Sequence, residues 1–116
     1  MSHLDPQLLI SIFDRTTALL ERGWCQVDYA RDADGRGAMT DSPDACQWCL
    51  IGATDVVLRE LRCPHLMPRL IELYREVLPP PAQALYLSPQ SYNDQTTTTQ
   101  ADVLALVRRA REAVKT

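Results

Sequence analysis

With 116 residues, 46% of them hydrophobic and 23% charged, the chain has the composition of a soluble globular protein and the length for one core but not two. A net charge of −3, with twelve Lys and Arg scattered among fifteen acids, gives no basic face of the kind nucleic-acid binding needs. No window approaches the ~18 continuous apolar residues of a membrane span.

The first twenty residues carry Asp5 and Asp14 inside the apolar pattern and no basic leader. They do not read as a secretory signal, and the expected setting is cytoplasmic. Asp5-Pro6 is instead an N-cap and first-position pair, and Leu8, Leu9, Ile12, Phe13, Leu19 and Leu20 recur at helical spacing. A helix is expected over 6–22, closed by Gly23 in the left-handed conformation with Trp24 folded back on the last turn.

Residues 24–41 form a first irregular region, in which WCQVDYA can be a short strand and RDADGRG a turn. Ser42-Pro43 repeats the opening device. Ala45, Trp48, Cys49, Gly52, Ala53, Val56 and Val57 then make an apolar stripe, predicting a helix over 43–62. Gly52 costs that helix roughly 1 kcal/mol relative to Ala, which implies that a backbone or ligand comes close there.

Pro64 interrupts the run, and Leu66, Met67, Leu70, Ile71, Tyr74, Val77 and Leu78 predict a helix over 64–78, stopped by Pro79, Pro80 and Pro81. The second irregular region, 79–97, holds Leu85-Tyr86-Leu87 as a short extended piece. Thr99 and Asp102 form a loose capping box for a last helix over 98–114. Arg108, Arg109 and Arg111 fall in its last turns, where cations complement the helix dipole. The expected architecture is mainly α: one domain over 1–116, about four helices, and at most a minor hairpin or short strands.

Gly23-Trp24-x-Gln26, Ala30-Arg31-Asp32-x-Asp34-Gly35, Trp48-Cys49-x-x-Gly52-Ala53, and Asn93-Asp94 ahead of a Thr-rich run and VLALVRRA follow one another in a distinctive order. Over nearly the whole chain this set resembles a family of small bacterial and phage proteins known as a domain of unknown function. The resemblance brings no activity with it. The chain departs from the pattern at Cys25, where Thr is expected, at Val27-Asp28, where Gly-Ala is expected, and at QTTTT, where a Pro-Gly-Arg-Thr turn is expected.

Cys25, Cys46, Cys49, Cys63 and His65 supply enough sulfur and nitrogen for zinc, but a zinc site needs two close pairs on turns. Cys46 and Cys49 are expected inside a helix, too deep for the dipole to activate them as a redox pair, and Cys49 reads as a packed hydrophobe. The two histidines, His3 and His65, make poor bases for a cysteine nucleophile. In DYARDADGRGAMTD the first ligand position of a calcium loop is Ala30, so a polar turn is the better account. No metal and no cofactor is expected.

Packing does not absorb Gln26, Arg31 and Asp32 from the first irregular region or Asn93 and Asp94 from the second. In one reading Asn93-Asp94 is an Asx-turn or capping device and Arg31, beside Asp32, is one side of an ion pair that pins loop to loop through Asp94. In the other, the two loops meet above a notch at Gly52 with Trp24 or Trp48 as an apolar wall, forming a binding site. The expected function is a non-enzymatic binding or interaction domain for a small molecule or protein partner, with no role for nucleic acid or membrane and no catalytic residue assigned. The alternatives are a small hydrolase or transferase using Asp32, Asp94 or Cys49, and a phage-type accessory acting on host defence.

Overall fold

In the computed structural model, which describes residues 4–115, the first helix follows its local signals. Asp5 accepts a hydrogen bond from the Gln7 amide at 3.0 Å and Pro6 opens α1 (Pro6–Arg22). Leu9, Ile12, Phe13, Thr16 and Leu20 form its buried stripe. The last helix, numbered α6 (Gln100–Glu112), is opened by the capping box at Thr99 and Asp102 and buries Val103, Leu106, Val107 and Ala110. α6 lies along α1, where the Gln100 side chain donates to the Leu20 carbonyl at 2.7 Å and Arg111 to Asp14 at 2.7 Å.

Between them the chain forms a small antiparallel sheet of β1 (Ala30–Arg31) and β2 (Gln47–Trp48), then α2 (Leu50–Glu60), a 3-10 turn (Pro64–Leu66) and α3 (Met67–Glu76). Two short helices follow, α4 (Pro80–Ala84) and α5 (Pro89–Asp94). The architecture is mainly α with a minor hairpin, as the helical stripes predicted. Phe13 and Tyr74 meet at the centre with ring centroids 5.7 Å apart, and the Tyr74 hydroxyl is satisfied by Thr54 at 2.9 Å.

Five expectations need correction. The helix predicted from residue 43 begins at Leu50. Ser42 and Pro43 sit in a turn, and the Cys46 and Trp48 amides donate sideways to the carbonyls of Arg31 and Gly23. Those lateral partners consume the donors before a helix can start. Trp48 is therefore a strand residue, and Cys49 is the N-cap of α2, its sulfur accepting from the Gly52 amide at 3.2 Å.

Gly23 is extended rather than left-handed, with φ −179°. It is demanded by close approach: a Cβ there would run into the Cys46 carbonyl. Trp24 does not fold back on α1 as a Schellman contact; it pairs with Trp48 in a parallel bridge. The prolines after α3 start a helix as well as stop one, since Pro80 and Pro81 occupy the first positions of α4, where a missing N–H costs nothing. Leu85-Tyr86-Leu87 is no strand, because Tyr86 turns the chain at φ 55°.

Candidate functional site

Asn93 is fully buried in the last turn of α5 and joins the two predicted irregular regions. Beyond the Trp24–Trp48 bridge a parallel ladder would continue with the Leu50 amide donating to the Cys25 carbonyl. Instead the Asn93 side chain stands between them. Its Oδ1 accepts from Leu50 N at 3.0 Å, and its Nδ2 donates to the Cys25 carbonyl at 3.2 Å. The side-chain amide replaces a missing rung. The same Oδ1 accepts from the Trp24 indole at 2.9 Å, and Nδ2 also donates to Asp94 at 2.9 Å, so every hydrogen-bonding position of Asn93 is filled.

Asp94 holds the chain opposite. Its Oδ1 accepts from the Val27 amide at 2.9 Å and its Oδ2 from Gln90 at 3.3 Å. The Gln26 amide donates to the carbonyls of Asn93 at 3.0 Å and Gln95 at 2.6 Å, capping the end of α5. Val27 is left at φ 76°, unusual for a β-branched residue, and lies at the position where the resemblance leads one to expect Gly.

The other three expected residues lie outside this clasp. Arg31 is paired with neither Asp32 nor Asp94: its Nε donates to Asp28 at 2.7 Å and its Nη2 to the Gln26 carbonyl at 2.7 Å. That hydrogen bond to Asp28 is the main reason its pKa is raised. Asp32 turns onto its own loop, accepting from the amides of Asp34 and Arg36 at 2.9 and 3.0 Å. Trp48 is buried, its indole donating to the Thr40 carbonyl at 3.1 Å and its ring lying under the Arg22 guanidinium at 5.5 Å.

A family model matches residues 5–113, a span that takes in all of these elements. The chain belongs to DUF6197, a family of unknown function. No curated protein and no solved structure matches it.

In this DUF6197 member the thiols are withdrawn from solvent except at Cys46. Burial pushes the Cys25 thiol up to about 11 and raises Cys49 as well. Among the described residues no three His, Cys, Asp or Glu side chains gather to hold a metal ion. His65 is exposed on the 3-10 turn, and His3 lies outside the described residues.

The Gly52 notch takes the form its cost implied, with a backbone pressed against it: a Cβ would collide with the Tyr29 carbonyl. Beside this contact lies an open groove of about 360 Å³ that the sequence did not single out. Tyr29, Ala38 and Met39 of the hairpin wall one side, Ile51 and Gly52 of α2 the other, and Met67 one end. Its polar groups are Thr40, which donates to Asp55 at 2.8 Å, and Arg59, which donates to Asp55 at 3.2 Å. Sequence reasoning passed over Asp55 and Arg59, although i,i+4 spacing is a signal for a helix-surface pair, and no local signal ties them to Thr40.

Proposed function

We propose that the chain is a small non-enzymatic binding domain, and that its recognition surface is the groove between the hairpin and α2. The occupant is an apolar side chain presented by a basic segment of a partner protein. The observation that carries this reading is the groove itself, an apolar concavity whose wall includes Met39 and Tyr29 at 72% and 58% exposure. Exposed apolar surface around a concavity with few polar groups is the usual form of a recognition site.

Charge selects the partner's sign. Residues 28–44 hold five aspartates against two arginines, and one of those arginines, Arg31, is already paired with Asp28. None of the five aspartates lines the groove, whose own charges are the paired Asp55 and Arg59, but the acidic excess of the neighbouring segment draws a basic partner toward this face and repels an acidic one. Against the hydrolase alternative stands the use of its candidate groups: Asp94 is engaged by Val27, Asn93 and Gln90, and the Cys49 thiol is buried, with its pKa raised. Asp32 closes its own turn.

Selection of a random peptide display library on the immobilised protein, run in parallel on Met39→Glu, tests the reading. Enrichment of peptides with one large apolar residue flanked by Lys or Arg, abolished by Met39→Glu, is the expected result. Enrichment that ignores Met39→Glu, or enrichment of acidic peptides, overturns it. So does dimerisation through the groove, detected by sedimentation, since a second copy would then be the occupant.

A further inference from the structure

We propose that Cys25 and Cys49 form an oxidative cross-link site, in which a small neutral peroxide converts two buried thiols into a disulfide that fastens the hairpin segment to the start of α2. The geometry comes from the ladder. Trp24 and Trp48 are paired in parallel, so the next residues of each segment, Cys25 and Cys49, stand side by side. Paired strands lie about 5 Å apart, within the Cα range a disulfide bridges, and the two segments part only beyond this pair, where the Asn93 amide stands between the Cys25 carbonyl and the Leu50 amide. The two thiols also share surroundings: burial is the main cause that raises both pKa values, and the Asp94 charge adds to both, with that of Cys49 adding to Cys25.

The one partner the cross-link must keep is the Gly52 amide, from which the Cys49 sulfur accepts at 3.2 Å, and a disulfide sulfur remains an acceptor. The Cys25 thiol donates to the Asp28 carbonyl at 3.4 Å and the Cys49 thiol faces Gln90 Oε1 at 3.6 Å, both weak contacts. Cys25 is slightly exposed at 4% and Cys49 not at all, so Cys25 meets the oxidant first. Its thiolate attacks one oxygen of hydrogen peroxide, the O–O bond breaks, and hydroxide leaves and takes up the thiol's proton as water. The resulting sulfenic acid is attacked by the Cys49 sulfur, which loses its proton as the S–O bond breaks and a second water departs. Two thiols are oxidised by two electrons and one peroxide is reduced to two waters.

The cross-link closes the loop from Cys25 to Cys49, which carries the hairpin wall of the groove. Burial and raised pKa values make the reaction slow at neutral pH and faster as pH rises. Exposed Cys46 lies in the same tryptic peptide as Cys49, so the test uses Cys46→Ser as background, with and without Cys25→Thr. The folded protein is incubated with hydrogen peroxide well below its melting temperature, then digested without reductant and read by mass spectrometry. The expected product joins peptide 23–31 to peptide 37–59, is absent in Cys25→Thr, and reverts with dithiothreitol. The oxidised protein should melt roughly 10 °C higher than the reduced form. Sulfinic acid at Cys25 without a cross-link, a cross-link to Cys63, or a cross-link formed only in denaturant overturns the proposal, and so does persistence of both free thiols after prolonged exposure at pH 9.

Discussion

Asn93 shows how a residue chosen from the sequence for its chemistry is held by structure. With Leu50 N, the Cys25 carbonyl and the Trp24 indole all dependent on it, Asn93→Ala leaves several buried polar groups unpaired and should cost about 3–5 kcal/mol in denaturant unfolding. Asn93→Asp keeps the acceptor but sets a carboxylate against Asp94. Its folded-state pKa is then raised, so the variant should regain stability as pH falls and the new group is protonated. Val27, left-handed on its Asp94 hydrogen bond, makes the opposite case: Val27→Gly should gain roughly 0.5–1 kcal/mol, because relief of the left-handed strain exceeds the added freedom of the unfolded chain. Cys25 supplies a pH signature. Its thiol is raised by burial from 9.0 to about 11, so the folded state favours the neutral form. The stability from that preference is intact below pH 9 and is lost as pH rises from 9 to 11, and pH-dependent melting of Cys25→Thr should lack this part of the decline.

Among the elements, α1 and α6 were legible because Asp5-Pro6 and the Thr99–Asp102 box are local signals, each decided within four residues. The start of α2 was not. Ala45, Trp48 and Cys49 fit a helical stripe equally well as a strand followed by a cap, and the choice is made by hydrogen bonds to Gly23 and Arg31, distant in sequence. The Asn93-Asp94 pair, read as an Asx-turn or cap or else as part of a site, proved to be the end of α5, a helix too short to announce itself by periodicity. Gly52 was read correctly from cost alone, and its role can be tested. In an open helix Gly→Ala would stabilise by about 1 kcal/mol. Here the new Cβ strikes the Tyr29 carbonyl, so Gly52→Ala should lower the melting temperature or, if the hairpin yields, shift the Tyr29 and Ala30 amide resonances.

At the scale of the molecule, sequence reasoning was right that the two predicted irregular regions meet: Trp24, Gln26 and Val27 reach Asn93 and Asp94 across 67 to 69 residues. The hydrogen bonds formed there close on one another and join the hairpin, the start of α2 and the end of α5 into one frame. The concave surface lies beside the Tyr29–Gly52 contact, in residues whose grouping depends on how the hairpin folds over α2, and composition gives no sign of that. A polar frame thus stands apart from the apolar groove proposed as the recognition surface. The most direct test is one titration, of a display-selected basic peptide into isotope-labelled protein followed by 15N–1H correlation spectra, which report the Trp24 indole and Asn93 side-chain amide alongside the backbone. With the groove as the recognition surface, the Tyr29, Met39, Thr40, Ile51 and Gly52 amides should shift on binding while the Trp24 indole and Asn93 amide signals stay in place. Shifts confined to Trp24, Gln26 and Asn93, with the groove amides unmoved, would contradict that assignment.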